Sequence, residues 1–412
     1  MSRPAPAASA ANEDIVPAEE RGAAGRVAQV HAQTRRGLVM TAAFVASAVI
    51  AGAAGIGDGW WLPLHLFVVG ALLTAISAVT QMLAVTWSAA PAPRPDVVAT
   101  QRWLVAAGTI ALVVGRETGR TRLFVAGGAA VVVAILCLAA ILIRIRRDAV
   151  TARFAPAIEA YVSAVLAGAV GMTIGILLGA GRAGSNALEL REVHLTLNVF
   201  GLIGLVVAGT LPFFAATQVR SKMSPRATPA MMRTTSAVLA AATAMTAVGH
   251  LAVEPIIVAS GLVVYTLGLV AVGAMLPIYA RKRVSWAGPR VVQLVAGIAW
   301  WIAMTGALAV TSHRETDDRA VLQALVIGGF AQILVASLAY LGPVLRGGGH
   351  RRLSAGFAIT RSWTSLAAGN AAALAALTGS GRALAFALAV WLTDIATRAG
   401  RLVLPTRQDQ HV

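Results

Sequence analysis

The chain has 412 residues, 58% of them apolar and only 12% charged, with a mean hydropathy of +0.75. No soluble domain needs so many separate apolar runs of twenty residues or more, so a soluble enzyme is excluded and a polytopic membrane protein is indicated. The formal charge of +17 is carried by arginines in short patches between the apolar runs. That pattern speaks for membrane topology and contact with the lipid bilayer, and against nucleic acid.

In chain order, residues 1–36 are rich in Ala and Pro and mixed in charge, without the apolar core and small-residue cleavage site of a signal peptide. They read as a disordered cytoplasmic tail. Twelve spans are predicted after it, at 37–56, 62–87, 100–116, 121–143, 155–180, 193–217, 230–249, 252–279, 290–311, 320–344, 355–378 and 381–398. Together they make a transmembrane domain over 37–400, followed by a cytoplasmic C-terminal tail at 401–412. The expected fold class is therefore all-α and polytopic, with about twelve transmembrane helices. The single cysteine, Cys137, lies inside an apolar run and offers neither a disulfide nor a thiolate metal site.

Orientation follows from the basic residues. With the amino terminus in the cytoplasm, the inner segments hold 26 of the 34 Arg and Lys and the outer segments hold 8. The inner clusters include Arg144/Arg146/Arg147/Arg153, Arg220/Lys222/Arg226/Arg233, Arg281/Lys282/Arg283/Arg290 and Arg346/Arg351/Arg352/Arg361. This imbalance predicts a multi-pass protein of the cytoplasmic membrane with both termini inside.

Polar residues within the spans are few, and each marks either a site or a packing contact. The most informative stretch is Glu192–Pro212, EVHLTLNVFGLIGLVVAGTLP, where His194, Asn198, Gly201 and Leu205 share one helical stripe. Gly201, Gly204 and Gly209 permit close approach of a neighbouring helix or of a flat ligand. His65 begins span two as His194 begins span six, and HLFVVG at 65–70 matches QALVIG at 323–328 in span ten. A repeat of four helices follows, giving three groups whose second helices face a common centre. A histidine at headgroup depth can also simply bond to water or a loop carbonyl, and that reading stays open for both. His250 and Glu254 flank a turn between spans seven and eight and suit a capping role. Asp394 lies well inside the last span and is expected to be protonated or to meet Arg398 one turn on. Gln81 and Gln332 read as interhelical hydrogen-bond partners.

The segments HLFVVGALLTAI at 65–76, HLTLNVFGLIGLVVAGTLPFF at 194–214 and QALVIGGFAQILVASLAYLGPVLRGGG at 323–349 resemble the membrane region of a group of actinobacterial proteins. Some of that group are associated with multicopper-oxidase or copper nitrite-reductase-like domains. The group is distantly similar to haem-copper oxidase subunit I and to NnrS-type haem-copper membrane proteins. The resemblance spans residues 37–400 and implies twelve helices in three four-helix arcs. It places His65 at the axial haem position of helix two, His194 first in a His-x-His-x-Asn pattern on helix six, and Asn198 as its asparagine. The departures are substantial. Thr196 replaces the second histidine of that pattern, Gln323 stands where helix ten carries a histidine, and His250 is alone at the end of span seven. A haem with a three-histidine copper centre is thus not encoded in its usual form, nor is oxygen reduction with proton pumping.

The functional expectation is an integral membrane protein resembling haem-copper oxidase subunit I. It would bind one haem or metal through His65 and His194, with Asn198 beside them and His250 as a reserve metal ligand. Its role would be in redox, nitrogen-oxide or copper chemistry. Haem, copper and no cofactor at all remain open, as does a separate redox or copper protein as partner. A non-enzymatic membrane partner or sensor of the same fold is the alternative, and a solute transporter a third.

Overall fold

A computed structural model describes residues 18–57, 59–277, 281–314 and 317–403. The described residues are helical throughout and contain no strand. We number the long helices α1 (Ala18–Ala54), α2 (Trp61–Ser88), α3 (Pro95–Glu117), α4 (Thr121–Arg147), α5 (Ala155–Gly179) and α6 (Gly184–Gln218). There follow α7 (Pro229–Ala252), α8 (Pro255–Ala274), α9 (Pro289–Arg314), α10 (Arg319–Arg346), α11 (Gly349–Thr360), α12 (Trp363–Leu377) and α13 (Gly381–Val403). A short helix, Arg281–Ala287, precedes α9. Eleven of these are long and apolar enough to cross a membrane.

The boundaries have local causes. Prolines occupy the first positions of α3, α7 and α8, where the missing N–H costs nothing. Glycines in the left-handed region close the turns after α1, α3 and α5, at Gly55, Gly119 and Gly181. Val253 takes a left-handed conformation between α7 and α8, so the predicted break between His250 and Glu254 is present.

Two expectations are corrected. The helix predicted from residue 37 begins at Ala18, so 18–36 is not a disordered tail. This extension is held because Val30 and Thr34 are buried and Gln29 and Gln33 donate to the Pro93 carbonyl, each at 3.1 Å. Residues 1–17 and 404–412 lie outside the described residues. The eleventh span is not continuous: α11 stops at Thr360 and α12 starts at Trp363. Ser362 sits between them in an extended conformation and caps α12 by accepting from the Ser365 N–H. The carbonyls left at the end of α11 are satisfied from outside, since Arg398 donates to Ile359 O at 2.8 Å and Arg361 O at 2.6 Å. Arg398 is itself fixed by Asp394, at 2.9 Å, and Asp394 accepts from Ser362 at 2.7 Å. The expected Asp394–Arg398 pair is therefore present and fastens the broken helix.

One prediction follows from this fastening. Asp394→Asn keeps an acceptor for Ser362 and should fold in good yield. Asp394→Leu strands a largely buried guanidinium, which costs about 3–5 kcal/mol for a well-buried pair and less here, where Arg398 is 29% exposed. Folded yield after size exclusion is the measurement.

Helices α2 and α6 lie deepest in the bundle, and α10, half-buried to the same extent as α4, joins their core. The apolar window of α6 is 83% buried and that of α2 61%, against 11% for α13. Residues of all three share one core, including Leu73, Leu205, Leu211 and Leu325. Rings join them toward the end that carries the basic clusters: Trp87 meets Phe213 at 5.2 Å, and Phe214 meets Tyr340 at 5.6 Å. Trp301 of α9 is buried between Gly204 of α6 and Gly329 of α10.

The three inner helices share a backbone irregularity. Each widens to a π-helical stretch, Leu66–Leu72 in α2, Leu197–Gly204 in α6 and Leu325–Ala331 in α10. A widened turn loosens the ordinary ladder, and in a membrane its carbonyls need other donors. Thr74 donates to Gly70 O at 2.5 Å, Gln332 to Gly328 O at 3.1 Å, and Tyr265 to Phe200 O at 3.0 Å. The first two repeat one arrangement, a side chain four residues on capping the glycine carbonyl. Gly70 and Gly328 are the glycines that the sequence aligns. The π-helical stretches thus recur in α2, α6 and α10, at intervals of four helices.

Candidate functional site

His65 and His194 stand in the halves of α2 and α6 remote from the basic clusters, His65 directly before the π-helical stretch of α2 and His194 three residues before that of α6. His65 is partly buried, with its ring stacked on Trp61 at 4.0 Å and an interplanar angle of 20°. Arg116, at the end of α3, lies 5.7 Å over the same indole. His65 Nδ1 is 2.8 Å from the Trp61 carbonyl. Because a carbonyl can only accept, this nitrogen carries the proton, and Nε2 is left with a lone pair.

His194 repeats the pattern with a partner from another helix. Its Nδ1 is 2.7 Å from the Gly171 carbonyl of α5. The Asn198 amide nitrogen is also near Nδ1, at 3.4 Å, but it is itself a donor and donates at 2.7 Å to the His194 carbonyl. The shorter contact decides: Nδ1–H donates to Gly171, and Nε2 again carries the lone pair. Neither Nε2 bonds to another protein group among the described residues.

The setting of His194 rests on glycines of α5 that the sequence reading passed over. A Cβ on Gly175 would stand 2.6 Å from His194 Cε1, and one on Gly171 would stand 2.6 Å from the Asn198 amide nitrogen. Gly171, Gly175 and Gly179 recur at four-residue intervals on one face. That spacing was the available signal for a close-packed helix face.

The other candidates take different places. Asn198, expected beside a cofactor, has its amide N–H₂ engaged with the His194 main chain and so supports that histidine. Gln323 is exposed at the start of α10, so the third inner helix brings no polar group to the pair. Among the described residues no three His, Cys, Asp or Glu side chains are grouped to hold a metal ion, so His250 does not complete a three-ligand centre with His65 and His194. Gly201 and Gly204 serve packing, with Ala167 against the first and Tyr265 and Trp301 against the second. A hollow of about 220 Å³ lies between α3 and α4 beside Asp96, Gln101 and Cys137, and neither histidine lines it.

What the site offers chemically is two neutral imidazoles, each with Nδ1–H anchored on a backbone carbonyl and Nε2 available. A metal-bound histidine is held in the same way, its second ring nitrogen donating to a carbonyl so that tautomer and orientation are fixed. No protein-family model and no curated protein matches this chain. The assignment that stands is that of an all-α, multi-pass membrane protein with two anchored histidines at one end of its inner helices.

Proposed function

We propose that the protein is a haem-copper-oxidase-like membrane protein that binds a metal through Nε2 of His65 and His194 and serves a redox or copper-handling role. The observation that carries the reading is the paired anchoring: Nδ1 of each ring is committed to a carbonyl, at 2.8 and 2.7 Å, while Nε2 is unpartnered. The donor set fits a borderline metal such as copper, or the iron of a haem. A small ion fits better than a haem, because the glycine faces of α6 are filled by Ala167, Tyr265 and Trp301. Bound there, copper would supply one-electron chemistry or a transferable ion. The protein's part is to fix the imidazoles, supply the neutral tautomer and limit water around them. An oxygen-reducing centre is not proposed, since no third histidine joins the pair among the described residues.

Two measurements test this. Protein purified from copper- and haem-replete cells should carry stoichiometric copper or iron by elemental analysis, with a Soret band only if the iron is haem. A monodisperse preparation with neither metal defeats the reading. On the basic-residue distribution we also propose that both termini are cytoplasmic and the histidine pair faces outward. Reporter fusions after Val412 and near Arg182 should then report inside and outside respectively.

A further inference from the structure

At the opposite end of the bundle, three arginines gather where helices α6, α9 and α10 meet. Arg290, in the first turn of α9, is only 2% exposed. Its guanidinium makes one hydrogen bond, from Nη2 to the Gln218 carbonyl at 3.2 Å, and its Nε and Nη1 have no partner. Rings wall it in, with centroids 4.7 Å away at Phe357, 5.2 Å at Tyr340 and 5.6 Å at Trp286. Arg220 is exposed and lies 4.3 Å over the same Trp286 ring. Arg361 is half-buried, donates to the Trp286 carbonyl, and has an unpartnered Nε. Among the described residues no carboxylate pairs with any of the three.

This arrangement is costly without a counter-charge. Desolvating an ion is costly, and cation–π contacts offset it without neutralising the charge. Elsewhere Asp394 meets Arg398 and the more exposed Glu159 bridges Arg146 at 3.2 Å and Arg233 at 2.7 Å, whereas buried Arg102 donates to the Gln33 carbonyl without a carboxylate partner among the described residues. The positions of the three guanidiniums are also defined from the backbone. Arg220 has a positive φ of 52°, and its carbonyl accepts from Arg283, which holds the end of α6 against the short helix Arg281–Ala287. Arg361 lies in the break between α11 and α12, whose carbonyl is held by Arg398. The result is a graded cationic pocket, exposed at Arg220, half-buried at Arg361 and closed at Arg290.

We propose that this pocket binds a phosphate-bearing anion. Arg220 and Arg361 would contact the phosphate oxygens, with the buried charge of Arg290 behind them. Planar guanidinium groups match phosphate geometry and are less strongly hydrated than ammonium, which favours arginine for this task. Low-dielectric walls of Trp286, Tyr340 and Phe357 focus the field toward the opening. The phosphate comes either from the headgroup of an anionic lipid in the adjacent leaflet or from a soluble phosphate compound.

The test uses the full chain in a neutral detergent. Native mass spectrometry follows retention of phosphatidylglycerol against phosphatidylcholine, and thermal unfolding follows stabilisation by phosphatidylglycerol or by inorganic phosphate. The wild type should retain phosphatidylglycerol, or be stabilised by inorganic phosphate alone, the two arms identifying the source. Arg220→Gln and Arg290→Met should weaken that binding at least tenfold. Arg220→Gln changes an exposed side chain and should leave helicity and unliganded unfolding unchanged, so loss of binding cannot be laid to misfolding. Equal retention in wild type and both variants overturns the site. So does stabilisation that chloride reproduces at the same ionic strength, or no response to either phosphate source.

Discussion

Replacing His194 by alanine should reduce bound metal to less than a tenth of the wild-type amount, and replacing His65 should do the same. Each substitution removes one of the two available Nε2 lone pairs, and no described neighbour can take its place. Gly175→Val should reproduce much of the loss without touching a ligand. Its side chain would enter space held by the His194 ring, whose Cε1 would lie 2.6 Å from the new Cβ. A ring turned away from Gly171 loses the hydrogen bond that sets its tautomer, and loss of such a support typically costs 10–100-fold in metal affinity. Gln323→Ala, at an exposed position, should change nothing. Metal content by elemental analysis, normalised to folded protein, reads all four variants.

The largest effect on stability is expected between α3 and α4. Gly108 of α3 faces Gly127 of α4, and Gly115 faces the Leu123–Phe124 backbone, so closely that the helices touch through their backbones. A Cβ on Gly127 would lie 2.7 Å from the Gly108 carbonyl, and one on Gly115 would lie 2.7 Å from the Phe124 Cα. Backbone cannot give way as a side chain can. Gly127→Val must therefore push the helices apart, at a cost of about 3 kcal/mol or more. Gly273→Ala serves as the control, since a Cβ there meets nothing within 4 Å. Its effect should stay within about 0.5 kcal/mol or be slightly stabilising. Thermal unfolding in detergent separates the two.

Much of the architecture was legible in the residues, for definable reasons. Apolar length marked the spans, and the Gly70 and Gly328 match located two glycines that both lie in π-helical stretches, in α2 and α10. The third repeat, in α6, was carried by the position of His194 and not by glycine spacing. What escaped depended on partners distant in sequence. The break at Arg361–Ser362 interrupts a run apolar enough to read as continuous, although Ser362 before Trp363 is a capping signal. Arg290 was counted among cytoplasmic basic residues by charge alone, and only the packing of Trp286, Tyr340 and Phe357 shows that it is buried. The histidines were found because ionisable groups in apolar spans are conspicuous. Their tautomers could not be, because the Gly171 carbonyl lies on a different helix. Residues 1–17, taken as tail in the sequence, lie outside the described residues.

The paired histidines are tested most directly by X-ray absorption at the edge of whichever metal the purified protein carries. The first coordination sphere should contain two imidazole nitrogens at about 2 Å, reduced to one in His65→Ala and in His194→Ala wherever metal remains. A sphere without imidazole, or one unchanged in both variants, would contradict the assignment of Nε2 of His65 and His194 as the ligands.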